Sequence, residues 1–308
     1  MSKINLSDFK LGLFAFIAWM RKFLGRHRPA AVGFVLLSLV VGVALFGPLF
    51  VGDAMEVHQH VDGEQGMGLL TWQHPLGLDK QGYGVFTRLV YGARTTTLVA
   101  LAATLLSLVL GSLTGAVAGF AGGWVDAILM RLVDLAMSLP GFLLALVMVA
   151  IFREQPALEA YQFEVVIFAV GFVGAPLFAR QVRAEVLRVQ SQEFVAAAMA
   201  LGYRPGRILF RHVLPNSIGP IIVLGTLGMG TAILDVAGLN FLGLGGDPYE
   251  VPEWGLTLAQ GWQDRPLANT QVAAAGICIF ISVLGFNLLG DGLKDELDPR
   301  SRRGTVQL

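Results

Sequence analysis

Residues 193–215 open with Glu193-Phe-Val-Ala-Ala-Ala-Met-Ala-Leu-Gly202 and continue through Arg204-Pro205-Gly206-Arg207 to Arg211-His212-Val-Leu-Pro215. Alanines at 196–198 and 200 favour helix and give a surface that another chain can approach closely. Gly202 suits the left-handed residue on which helices end, and Pro205 just beyond it blocks continuation. Arg204, Arg207 and Arg211 then line the exit. A loop that merely joins two apolar segments needs charge. It does not need an alanine run, a glycine stop and a Leu-Pro exit together. The stretch predicts a short docking helix offered to a soluble partner.

Composition agrees with a membrane setting. The chain of 308 residues is 55% hydrophobic and 14% charged, where globular proteins carry about 25% charged residues. Its mean hydropathy is +0.65. The net charge of +0 is silent about partners. A lone Cys278 in an apolar run excludes an intrachain disulfide or a multi-cysteine metal cluster and reads as a small buried hydrophobe. The apolar run from Leu11 to Met20 ends in Arg21-Lys22 without a small-residue cleavage site. Residues 1–28 are therefore expected to form a cytoplasmic amphipathic segment on the inner lipid surface.

Stretches free of charge place six spans at about 29–52, 95–120, 131–152, 164–180, 216–236 and 268–290, near the roughly 20 residues that cross a hydrocarbon core. The expected fold is an all-α membrane protein with a transmembrane domain over 29–303, a docking loop over 181–215 and a tail over 304–308. With both termini cytoplasmic, the inner segments hold sixteen basic residues, from Lys3 and Lys10 through Arg180–Arg211 to Arg302 and Arg303. The outer segments hold five: Lys80, Arg88, Arg94, Arg153 and Arg265. That bias sets the orientation.

Local features fill in the frame. Gly111, Gly115 and Gly119 make a small face for close helix packing. Arg131 and Asp134, three residues apart, are expected to pair on one helix face. Pro140 and Gly141 can bend the third span. The fourth span is expected to run on as helix to Gly202, with Asn216 or Ser217 capping the fifth and Pro220 in its first turn. Glu56, His58, His60 and His74 stand in a polar segment, where solvated side chains are a simpler reading than a metal site.

Further blocks stand in order along the chain: His74-Pro-Leu-Gly77 with Asp79 and Gly82, Arg88-Leu-Val-Tyr-Gly-Ala-Arg94, Gly122-Gly-Trp-Val-Asp126, Met130-Arg131-Leu-Val-Asp134, Phe241-Leu-Gly-Leu-Gly245, and Asn287-Leu-Leu-Gly-Asp-Gly-Leu293 with Leu297-Asp-Pro-Arg300. With the 193–215 stretch they resemble the C-type permease subunit of dipeptide/oligopeptide ABC importers, a family that also serves nickel and glutathione uptake, over about residues 29–303. The resemblance implies a type I ABC importer permease fold in the bacterial cytoplasmic (inner) membrane, in contact with lipid and not with nucleic acid. It implies pairing with a second, usually different, permease to form a path for di- or oligopeptides. Two ATPase subunits would sit beneath, and an extracytoplasmic substrate-binding protein would deliver cargo. ATPase docking would fall on Glu193, Phe194, Ala197, Ala198, Met199, Gly202, Arg204, Arg207, Leu214 and Pro215, with Val195 and Leu201 as further apolar contacts. The chain departs from the family at Ala196, where an acidic residue is usual, and at Tyr83-Gly84, where Arg-Asp is common.

The chain contains no Gly-Lys dipeptide and so no phosphate-binding P-loop. It is not expected to be an enzyme or to hold a cofactor; ATP and Mg²⁺ would belong to the partner ATPases. Two alternatives follow. One is the same assembly importing nickel or a glutathione-like solute. The other is an ion-coupled secondary transporter, which would place charge at mid-span, whereas Asp134 and Asp235 fall near span ends.

Overall fold

The computed structural model describes residues 18–54, 72, 74–247, 250–264 and 268–297, and among them the regular structure is helical apart from one isolated Leu78–Gly84 bridge. Residues 1–17 of the expected surface segment, the outer Glu56, His58, His60 and Arg265, and the tail with Arg300, Arg302 and Arg303 lie outside the described residues. In chain order the helices are α1 (Arg28–Phe46), α2 (Val85–Ala121), α3 (Gly123–Met137), α4 (Gly141–Arg153), α5 (Gln162–Gln190), α6 (Glu193–Ala200), α7 (Leu214–Phe241), α8 (Trp254–Gln263) and α9 (Asn269–Leu297). Five runs are long and apolar enough to cross a membrane, and a sixth if α3 and α4 count as one bent span.

Helix lengths exceed the charge-free runs that mark them. At 37 residues α2 extends about 55 Å, well beyond the roughly 30 Å hydrocarbon core. Its first turns carry Arg88 and Arg94 past the second predicted span. Charge absence marks where lipid begins, and the hydrogen-bonded helix runs on through it.

Two expected helices are broken. The third span, expected over 131–152, is interrupted between Met137 and Gly141, where α3 and α4 meet at 84°. Pro140 has no N–H to continue the ladder and holds an extended ψ of 119° as the residue capping α4. The helix expected from span four to Gly202 breaks at Ser191-Gln192. The Ser191 hydroxyl donates to the Arg188 carbonyl at 2.9 Å, the kind of local side-chain bond that competes with helix. Gln192 then turns extended, with φ −80° and ψ 148°.

No cap forms at Asn216 or Ser217. A helical turn, Pro205–Ile208, passes through a π-helical turn, Leu209–Val213, directly into α7. Asn216 donates to the His212 carbonyl and Ser217 to that of Val213, at 2.6 and 3.0 Å. Both are interior residues of a continuous helix. The π turn sits where Pro215 lacks the N–H that an α-helix would aim at the Arg211 carbonyl.

Small residues hold the bundle together. A Cβ added at Gly111 would fall 2.5 Å from the Ala175 carbonyl oxygen of α5, and one at Gly119 would fall 3.0 Å from that of Arg183. One at Gly115 would meet the Ala179 carbonyl. The glycine face therefore lets α2 and α5 lie backbone to backbone, and Ser107 adds a 2.8 Å bond to the Gly171 carbonyl. Gly33 plays the same part between α1 and α9, against Gly285 and Leu289. The core is mostly Ala and Val, including Ala100, Ala103, Val149, Val166, Ala169, Val236 and Ala275. Larger side chains such as Leu39, Leu105, Leu132 and Phe280 point outward, as suits an apolar surround. Helical residues 18–26 lead into α1, where Arg26 and His27 reach Glu296 of α9 at 3.2 and 3.1 Å. The segment that enters α1 and the last turn of α9 thus meet at one end of the bundle.

Candidate functional site

The loop between α5 and α7 folds as a compact knuckle. At the end of α6, Gly202 takes φ +75°, Gly202 N–H donates to the Met199 carbonyl at 2.9 Å, and Tyr203 N–H to that of Ala198 at 3.2 Å. This paired reversal satisfies the last carbonyls of α6 and requires the left-handed residue that glycine supplies. Arg207 then lies over the Tyr203 ring at 4.7 Å, and Tyr203 stacks on His212 at 6.0 Å. The turn is braced against the start of the π segment.

The eight residues of α6 present two faces. Val195 and Ala198 turn inward against Val182, Val186 and Val189 of α5 and against Ile208, Leu209 and Val213, with Ala116 and Phe120 of α2 closing the cluster. Phe194, Met199 and Leu201 turn outward at 45, 50 and 73% exposure, and Phe210 joins them. Glu193, Ala197, Gly202, Arg204, Arg207, Arg211 and Pro215 are exposed, and Leu214 is half-buried. The outward ridge therefore gathers most of the residues expected to dock. Ala198 and Val195, expected to face a partner, are instead the pins that fix α6 to the bundle.

Ion pairs extend that anchorage. Arg183 of α5 grips Asp126 in the first turn of α3 through Nε–Oδ1 at 2.5 Å and Nη2–Oδ2 at 2.6 Å. The Gly122-Gly123 reversal, with φ of +63° and +55°, brings Asp126 there. Asp134 does not pair with Arg131 as expected. It accepts from Arg180 at 2.7 Å, because the α2–α5 packing places that arginine beside α3. The sequence reading missed the Asp126–Arg183 link, whose local signal is the Gly-Gly turn just ahead of Asp126.

The opposite end of the bundle is a polar lock. Glu253 is fully buried ahead of α8; it accepts from Thr96 Oγ1 of α2 at 2.8 Å and from the Leu256 N–H at 3.0 Å. Trp254 donates its indole N–H to the Leu89 carbonyl at 2.9 Å, and Gly92 leaves room for that ring. Burial raises the Glu253 carboxyl above its ordinary range, against the lowering effect of these donors. Nearby, Asp79 accepts from the N–H groups of Gln81 and Tyr83 at 3.0 and 2.9 Å and lies 3.7 Å from Arg88. Burial raises its carboxyl too. The His74–Gly82 and Trp254-Gly255 blocks thus form one cap, with Lys80 and Asp264 bridging it at 3.4 Å. The structure consists, then, of a rigid bundle, a locked cap at one end and an exposed knuckle at the other.

Known proteins resemble this chain in sequence and in fold. Over 286 residues the chain is 38% identical to the dipeptide transport system permease protein DppC of Alkalihalophilus pseudofirmus, spanning 92% of this chain and 90% of that one. Over 281 residues it is 35% identical to the glutathione transport system permease protein GsiD of Pectobacterium atrosepticum, spanning 91% and 89%. A chain of the MetNI methionine ABC transporter, solved in inward-facing conformations, superposes with a TM-score of 0.52 over 67% of this chain and 96% of its own length, at 19% identity. That likeness shows a common fold. Residues 107–303 match the family described as "binding-protein-dependent transport system inner membrane component". This match takes in the glycine face, the knuckle and the cap helix, and the chain belongs to that family.

Proposed function

We propose that this chain is one of two permease subunits in an ATP-driven importer of di- or oligopeptides, and that the 193–215 knuckle is where an ATPase subunit docks. The exposed ridge of Phe194, Met199 and Leu201 beside Arg204, Arg207 and Arg211, backed by Val195 and Ala198, carries this reading. A few well-packed side chains near the centre of an interface supply most of its energy, and flanking arginines select an acidic partner surface.

The mechanism follows from what the knuckle touches. Its inner wall is made by α2, α5 and the π turn that feeds α7, so a push on α6 reaches three spans at once. Arg183 passes the motion on to α3. When the ATPases close on ATP, these helices move as one body and the path opens to the outside; hydrolysis resets it. Rigid-body rocking of this kind is a general route to alternating access. ATP and its Mg²⁺ would be held by the ATPases. The Glu253–Thr96 cap faces the outside and receives the substrate-binding protein, with both termini cytoplasmic.

Peptide is favoured as cargo because the relative with higher identity is a dipeptide permease. A glutathione-like solute is the second reading, supported by the GsiD relative. Uptake by cells expressing the complete system, offered labelled dialanine and labelled glutathione in turn, tests both. Accumulation of labelled dialanine should stop on ATP depletion and persist with ionophores. Uptake that follows the ion gradient instead would replace this reading with a secondary carrier.

A further inference from the structure

Between α2, α5 and α7 lies a cavity of about 200 Å³. Its polar lining comes from Thr104 and Ser107 of α2, Gln181 of α5, and Thr231 and Asp235 of α7, with Leu and Phe side chains between them. The Thr104 and Ser107 hydroxyls already donate to the carbonyls of Ala100 and Gly171, each at 2.8 Å. Both therefore offer lone pairs to the cavity. Asp235 is half-buried, and among the described residues nothing donates to its carboxylate. Arg180, the basic residue beside Gln181, is taken up by Asp134 at 2.7 Å. An acidic group on a spanning helix without a counter-charge is costly and marks a place where charge passes or binds.

We propose that this cavity is a transit subsite for a primary ammonium group, with Asp235 as its counter-charge, and that the amino terminus of a peptide in passage occupies it. An ammonium brings three donors, which match the carboxylate, the free lone pairs of Thr104 or Ser107, and the Thr231 or Gln181 oxygen. Calcium would ask for about six to eight oxygen ligands, more than the one carboxylate and few neutral oxygens that line the cavity supply. Pockets that enclose a drug-sized ligand measure about 300–1,000 Å³, so this one takes the end of a peptide and not its length. The apolar walls accept different first side chains, while the charge reads the amino-terminal ammonium that unblocked peptides carry. The identity of the occupant rests on the import reading above; the cation preference of the cavity does not.

Thiol labelling in membranes carrying the whole transporter tests this. Thr231→Cys in a Cys278→Ser background places one thiol of this chain on the cavity wall. It is treated with aminoethyl methanethiosulfonate, which is cationic, and with its anionic sulfonatoethyl counterpart. The ratio of cationic to anionic labelling rates should fall about tenfold when Asp235→Asn is added, the low end of the enrichment that a charged, low-dielectric cleft produces. Asp235→Glu should retain the ratio, which separates charge from folding. Dialanine should slow the cationic reagent, and N-acetyl-dialanine should not. A ratio indifferent to Asp235→Asn overturns the cation site, and equal protection by both peptides overturns the amino-terminal occupant. An unmodified transporter that takes up no peptide overturns the import reading, while the labelling ratio still decides the cation site by itself.

Discussion

The guanidinium of Arg183 holds the carboxylate of Asp126 by two parallel hydrogen bonds of 2.5 and 2.6 Å, joining the helix that leads into the docking knuckle to the first turn of its neighbour. The bidentate geometry fixes direction as well as distance. Arg180 and Asp134 join the same two helices at 2.7 Å, so the two pairs together set how movement of α5 is felt by α3.

Arg183→Ala should therefore uncouple more than it unfolds. Both side chains are partly exposed, so the loss in stability is expected at about 1 kcal/mol after allowing for solvent screening. The larger effect should be ATP hydrolysis that continues with reduced transport. The swapped pair Asp126→Arg with Arg183→Asp should recover part of the coupling, and a double-mutant cycle on transport per ATP measures it.

Adjacent alanines in α6 should behave oppositely. Ala197 is exposed and Ala198 buried. Ala197→Trp should leave the melting temperature in detergent within a degree or two and abolish ATPase recovery. Ala198→Trp must overpack the cluster around Val186 and Val213 and should cost about 1–3 kcal/mol. Thermal melts beside pull-downs separate the two.

Gly115→Leu should prise α2 from α5. The new side chain would meet the Ala179 backbone, which cannot rotate away as a side chain could. Poor yield of folded protein is expected. Leu113→Ala, on an outward-facing residue of the same helix, should have little effect on yield.

The cap should show a pH signature. Burial raises the Glu253 carboxyl above its ordinary 4.5, so the folded state holds that proton more tightly than the unfolded chain. Its contribution is fully present below about 4.5 and is lost as pH rises through the raised folded value. Glu253→Gln should flatten that part of the stability–pH curve and raise stability at neutral pH relative to the parent. Melting temperatures measured across that range check the sign; a curve unchanged by the substitution would contradict the assignment.

What the sequence revealed was mainly local. Gly202 with Pro205 announced the end of α6 because a left-handed stop is a property of a few neighbouring residues. The glycine face at 111, 115 and 119 carried its own period. The orientation of α6 was hidden, since an eight-residue helix rich in alanine has no apolar stripe to tell Phe194 from Val195. The break at Ser191-Gln192 lacked Pro or Gly, and the 84° bend at Pro140 is set by packing that Pro140 only permits. Glu253 meets Thr96 across 157 residues and Arg183 meets Asp126 across 57. No local pattern encodes either partner.

The central claim is that the knuckle docks an ATPase, and the most direct test is gentle purification of the tagged chain from its native membranes, with mass spectrometry of what accompanies it. A second permease and P-loop ATPases should accompany the unaltered chain. With Leu201→Asp the ATPases should be lost and the permease retained. A chain that purifies alone and supports ATP-independent uptake in liposomes would contradict that claim.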